Sequence, residues 1–364
     1  MPTAVPTVAS IGVALTSVVI AGCAATTSSN QSRPTPSSGL TGSVWVANEA
    51  SNSVSVINAS NHATVATLTG VSGPHNVQAA SDGTVWATSS GGLAIDLEPR
   101  TYRVAEAVAV GEHPTHVVTT PDGRQAWVTN YGDDSVTIIN TRTGMSQDTV
   151  AVGDGPHGMR FSSDGGTAYV ALLDAGKLAI IDTTTLQVRR ADVGPQPVQV
   201  APTQDGAFVY VTLAGKSAVA KVDPRTRRVT AEISVPSPPA QALVTPDGRS
   251  LLVANQGTDE APGNTVSRID TTSDEVTDTV PTGFGPHGLT TDPDSRFAYV
   301  TNMHDDTLSV IDLADFTVTT TVPTGSEPNG VTFVASPVPS QPRGTVPLQI
   351  DGAAPSDSHA SHHS

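Results

Sequence analysis

Four of the ten histidines in this 364-residue chain stand one or two places after a recurring proline: His75, His116, His157 and His287. The tetrapeptide GPHG carries two of them, at 155–158 and 285–288. In the other copies of the proline the same slots hold Gln199, Gln241 and Asn329. Neutral imidazoles ligate transition metals and titrate near neutrality, whereas amides both donate and accept hydrogen bonds. Three readings stay open. His75, His116, His157 and His287, joined by His304, could bind a transition metal. His75, His116, His157, Gln199, Gln241, His287, Asn329, Asn130 and Asn302 could line a hydrogen-bonding mouth for a small molecule, peptide or protein. Duplication alone could have multiplied a histidine that packs. If there is catalysis, His157 and His287 are the general-base candidates, because a base works best with a pKa near the working pH.

These residues belong to a repeat. The marker prolines are Pro74, Pro114, Pro156, Pro197, Pro239, Pro286 and Pro328, spaced 40, 42, 41, 42, 47 and 42 residues apart. Asp82, Asp122, Asp164, Asp205, Asp247 and Asp294 each lie eight residues beyond a proline, and Gly follows in five of the six. Each unit predicts four short strands. An Asp-Gly turn supplies the positive φ of a tight hairpin between the first two. Asn58, Asp96, Asn140, Asp182, Asp223, Asp270 and Asp312 are read as structural Asx turns after the third strand. The 47-residue spacing holds an inserted loop near 257–264.

A four-stranded sheet of this size cannot bury both faces alone. Radial stacking does so, and closing the ring leaves only short edges. The chain opens on SVWVANEASNSVSVINASNHATVATL, strands two to four of a unit, and closes on EPNGVTFVAS, a first strand. The fold class predicted is all-β: a seven-bladed β-propeller over 43–336, with four-stranded antiparallel blades and one blade shared by the two chain ends. The loop entering each first strand and the loop between strands two and three should open on one mouth of the channel.

The segments AYVTN, AWVTN and LLVAN, followed by SVIDL and TIINT, resemble the YVTN-type seven-bladed propellers of bacterial envelopes. The resemblance covers about 43–336 and implies the fold strongly and the activity weakly. Two further likenesses bear on chemistry. The propeller of nitrous oxide reductase gathers histidines near its axis for copper, which would imply metal binding here. The virginiamycin B lyases pair a channel-mouth histidine with a divalent metal, and the GPHG and DG turns are similar. That likeness implies a metal-assisted lyase or hydrolase as the alternative to a binding protein.

The N-terminus carries an apolar stretch from Ile11 to Ile20 ending in Ile20-Ala21-Gly22-Cys23, similar to a bacterial lipoprotein lipobox. Residues 1–22 would be the signal peptide, Cys23 the lipidated residue and 23–42 a Ser/Thr/Pro tether. The expectation is an extracytoplasmic protein held at the membrane through the Cys23 lipid. No Lys or Arg precedes Arg33, a departure from the usual positive n-region. Residues 337–364 read as a disordered Pro- and His-containing tail. The net charge of −16, from 34 acidic and 18 basic residues, argues against a nucleic-acid partner. Cys23 is the one cysteine, so no intramolecular disulfide forms.

Overall fold

The computed structural model describes residues 39–339 and 343–350. Cys23, its lipobox and His359, His362 and His363 lie outside the described residues. Seven antiparallel sheets follow one another along the chain. Blade 1 is built from Pro328–Val334, Ser43–Asn48, Ser53–Asn58 and Thr64–Thr69, in that order. Blades 2 to 7 occupy 77–109, 114–151, 156–192, 197–234, 242–281 and 286–323, each a four-strand meander. The predicted closure is present: Ser43 pairs with Val334 and Trp45 with Thr332, across nearly the whole chain.

The core is divided the same way. Seven clusters of buried apolar residues each join two neighbouring blades, the last joining blade 7 to blade 1. An aromatic on the second strand supplies the bulk in six of the seven blades, with Trp45, Trp86, Trp127, Tyr210 and Tyr299 at most 1% exposed and Tyr169 at 4%; blade 6 has Leu252 there. Each blade face is half of an interface, which is why the second strands are apolar at successive positions rather than alternating.

The Val-Thr-Asn signature has a physical basis. The Thr129 hydroxyl accepts the His116 N–H at 2.9 Å and donates to the His157 carbonyl of the next blade at 2.8 Å. Thr212 links the Gln199 N–H (2.9 Å) to the Ala240 carbonyl (2.8 Å). Thr301 links the Gly288 N–H (2.7 Å) to the Asn329 carbonyl (2.8 Å), and Thr88 the Asn76 N–H (2.9 Å) to the Thr115 carbonyl (3.2 Å). The asparagine that follows works inside its own blade. Asn130 donates to Ser135 and Thr137 at 3.0 and 2.9 Å, and Asn302 to Thr307 and Ser309 at the same distances.

Two sequence expectations are corrected here. The segment after 336 is not wholly unpacked. Gly344–Pro347 adds to the outer edge of blade 1 as a parallel strand on Thr64–Thr69, and Leu348 is 8% exposed. Asp96 is also not a turn residue. It lies opposite Trp86, 7% exposed, and burial pushes its carboxyl up to about 6. Glu98 holds that turn instead, accepting the Arg100 and Thr101 N–H groups at 3.2 and 2.7 Å. The other third-strand Asx turns form as expected, for example Asp182 with the Thr184 N–H at 3.0 Å.

The second glycine of GPHG is required by the close approach of neighbouring inner strands. A Cβ on Gly288 would sit 2.1 Å from the Asn329 carbonyl oxygen of blade 1, and one on Gly158 would sit 2.5 Å from that of Val198. Neither obstacle is a flexible side-chain end. Gly288→Ala should therefore lower stability by about 1–3 kcal/mol through forced separation of the blades. Urea unfolding of the purified variant reads this; an unchanged midpoint would show that the hoop is looser than the distances imply.

Candidate functional site at the propeller axis

In five of the seven blades the inner strand starts with the marker proline paired to the end of the second strand, and then the register slips; in blades 2 and 6 the inner strand begins three residues after the proline, at Val77 and Ala242. In blade 3 Pro114 faces Asn130 and the next pair is Val117 with Val128. The same slip follows Pro156, Pro197 and Pro286. The two residues in the slip are freed from pairing, as in a bulge, which re-aims side chains. These slots hold His116, His157, Gln199 and His287, whereas His75 and Gln241 stand just before the shorter inner strands of blades 2 and 6.

Four imidazoles from blades 2, 3, 4 and 7 meet at the axis. The His75 ring centre lies 5.7 Å from His116, 5.1 Å from His157 and 6.2 Å from His287, and His116 lies 5.3 Å from His157. The rings of the His75 pairs meet edge to face. His75 Nδ1 faces the Thr115 carbonyl at 3.1 Å and His157 Nδ1 the Val198 carbonyl at 3.0 Å. A carbonyl only accepts, so each Nδ1 carries a proton. His116 is fully buried and neither of its ring nitrogens has a hydrogen-bond partner.

Burial disfavours the imidazolium form at His116 and His157. Desolvation, reinforced by His75, lowers His157 to about 3. Desolvation and the neighbouring His157 hold His116 well below its ordinary value. Both are neutral at pH 7. Glu49, from the loop between the second and third strands of blade 1, acts on His157 in the opposite sense and accepts the Asn329 amide at 2.7 Å.

The structure thus brings together His75, His116, His157 and His287, with Asn329 tied to the adjacent Glu49. Gln199 and Gln241 are buried, their Nε2 atoms unpartnered, with Gln199 Oε1 accepting the Val200 N–H at 2.8 Å. His304 is elsewhere, 3.8 Å from Asp259 of the inserted loop, so it is not a fifth member of the cluster. Asn130 and Asn302 are fully buried and bound to third-strand hydroxyls, which corrects their placement at a ligand. Among the described residues no group of three or more His, Cys, Asp or Glu side chains is arranged to hold a metal ion. Two surface concavities, of about 530 and 430 Å³, lie between blades and contain none of these histidines.

Two charged residues of this region escaped the sequence reading, Glu49 and Arg160. Each had a signal. Glu49 is the one acidic residue of the NEASN loop. Arg160 stands four residues after its proline, where the other blades carry Gln78, Val118, Ala201, Leu243, Thr290 and Thr332.

No curated protein matches the sequence. Solved structures share the fold. Hydrazine synthase of Kuenenia stuttgartiensis is 24% identical over 71% of this chain and 88% of its own, with a TM-score of 0.66. A functionally unknown protein of Desulfotomaculum acetoxidans is 13% identical over 81% and 99%, with a TM-score of 0.70. Virginiamycin B lyase of Staphylococcus aureus is 16% identical over 72% and 91%, with a TM-score of 0.61. The family description of YNCE-like beta-propellers matches residues 147–338, more than half of the sequence. With seven four-stranded blades closed into a ring and that match across its second half, the chain belongs to the YNCE-like beta-propeller family.

Proposed function

We propose that this propeller is a binding protein that recognises a small polar ligand at the axial histidine cluster. The observation that carries the reading is the convergence of four imidazoles from four different blades to within 5.1–6.2 Å of His75 or of one another. Burying His116 with neither ring nitrogen hydrogen-bonded is costly unless the ring has another use. Recognition fits them better than base catalysis. A base with a pKa of about 3, as at His157, is far too weak to abstract protons near neutrality. A virginiamycin B lyase shares the fold, but at this identity the likeness extends no further.

Native mass spectrometry of the full chain tests the reading. Wild type should carry a small-molecule adduct that His75→Ala and His157→Ala lose while remaining folded. Identical spectra for all three proteins would overturn it. Metal analysis of the chain lacking 351–364, and so lacking His359, His362 and His363, separates the metal reading. Recognition predicts no stoichiometric transition metal; one equivalent lost in His157→Ala would favour metal chemistry instead.

The protein works, in this proposal, on the outer side of a bacterial membrane, tethered by lipid on Cys23 through the Ser/Thr/Pro segment. Cys23→Ala should move it from the membrane fraction to the soluble fraction. Retention in the membrane fraction would defeat the anchor.

A further inference from the structure

Blades 5 and 6 give the axis no histidine, yet each places a glutamine two residues after its marker proline, Gln199 and Gln241. Gln199 is 0% exposed and Gln241 2% exposed, and the Nε2 of each is buried without a hydrogen-bond partner. Gln199 is fixed against the histidine cluster. The carbonyl of Val198, the residue before it, holds His157 Nδ1 at 3.0 Å. A Cβ built on Gly158, the residue after His157, would lie 2.8 Å from the Gln199 Cα and would run into its side-chain oxygen. That oxygen accepts the Val200 N–H at 2.8 Å, which fixes the orientation of the amide and leaves the Nε2 donor as its open side.

Acceptors stand beside these donors. His157 is neutral at pH 7 and commits its Nδ1 proton to Val198, so its Nε2 only accepts. Asn329 takes the place after its proline that His75, His157 and His287 take after theirs. Its Nδ2 donates to Glu49 at 2.7 Å, and its Oδ1 is buried and unpartnered. The His75 and His157 residues are only half-buried, so part of the cluster is open to solvent. Unmade hydrogen bonds in a buried site are costly, and a ligand that makes them recovers that cost.

We propose that the axial site takes an uncharged carboxamide or peptide group, its carbonyl oxygen accepting from Gln199 Nε2 and its N–H donating to His157 Nε2. Gln241 and Asn329 repeat the donor and the acceptor, and suit a ligand with a second such group. An amide supplies both complements at once. An oxyanion would satisfy the glutamines but meet the Asn329 oxygen, the imidazole lone pair and the Glu49 carboxylate that Asn329 engages. A cation would pair with Glu49 and leave both glutamine donors orphaned. The inference rests on the axial cluster being a binding site, and it specifies the hydrogen-bonding class of what binds there.

The test is calorimetric titration of the full chain at pH 7 with three probes on one skeleton: neutral N-acetylalaninamide, anionic N-acetylalanine and cationic alaninamide. Saturable binding of the neutral probe is expected, about tenfold or more tighter than either charged one, since a polar group left unpaired in a buried site costs that much. Gln199→Leu removes the donor and should weaken the neutral probe about tenfold. Gln241→Leu should weaken it as well, which covers the case in which the first variant fails to fold. No binding of the neutral probe, equal affinity for a charged one, or an affinity unchanged in the folded variants overturns the amide reading. A charged adduct lost in His75→Ala and His157→Ala would then still uphold recognition at the histidines, so the two failures are distinguishable.

Discussion

Deletion of residues 328–350 should abolish cooperative folding of the entire ring, although the segment removed holds less than a tenth of the chain. It contains the inner strand of blade 1, paired with Ser43–Asn48 across the closure. Val331 and Val334 leave two different inter-blade cores, those between blades 7 and 1 and between blades 1 and 2. Each buried aliphatic side chain contributes about 1.5–3 kcal/mol. The ladder bonds and the Thr301-to-Asn329 bridge add about 1 kcal/mol apiece. The sum approaches the roughly 5–15 kcal/mol that holds a whole domain together. Circular dichroism should show loss of the sharp thermal transition. Truncation after residue 339 removes the parallel strand Gly344–Pro347 with the flanking Arg343, Leu348 and Ile350, and should cost a few kcal/mol with the transition intact. A full-sized transition in the 328–350 deletion would mean that the ring does not need its shared blade.

The second large effect is acid sensitivity from the axis. The folded-state pKa of His157 is depressed from 6.5 to about 3, and His116 is shifted in the same direction. Between those values the unfolded chain binds a proton that the folded chain refuses. The contribution is therefore fully present above pH 6.5 and is lost as pH falls toward 3. At pH 4.5 His157 alone should have cost on the order of 3 kcal/mol, with His116 adding to it. Asp96 opposes this: its carboxyl, raised to about 6, favours the folded state as pH falls and offsets about 2 kcal/mol. Comparing wild type with His157→Gln cancels Asp96. Urea unfolding at pH 7 and 4.5 should show a loss smaller by about 3 kcal/mol in the variant. Parallel pH profiles would show that His157 is hydrated rather than buried.

The fold was legible because the same pattern recurs in phase around the chain, so a local error in one unit is corrected by the others. The half-units at 43–69 and 328–334 announced their own pairing. The site was legible only in part. Spacing located the slots after each proline. The register slip that turns them toward the axis depends on backbone geometry that no residue type signals. Asn130 and Asn302 misled because a polar residue at a strand end suggests a loop. Their register instead places the amide against two hydroxyls of the third strand. Asp96 misled because LAIDLEPRT offers two acidic residues, and the strand runs two residues past the first. The strand Gly344–Pro347 escaped notice because its partner, Thr64–Thr69, is nearly the whole chain away.

The bridges made by second-strand threonines do not go all the way round. They join blade 2 to 3, 3 to 4, 5 to 6 and 7 to 1. At the remaining three junctions the bridging position is alanine: Ala47, Ala171 and Ala254. This bridge thus groups the circle into three arcs, blades 2–4, 5–6 and 7–1, with the blade 1–2 junction tied instead by Thr332, which accepts the Ala79 N–H at 3.0 Å, and by the Gly330 N–H on the His75 carbonyl at 3.0 Å, and the chain's own start and finish are fastened inside one arc. His75, His116 and His157 ride on the first arc and His287 on the third. Whatever occupies the axis would rivet one arc to another, so amide exchange at the blade 1–2 seam should slow when the site is filled.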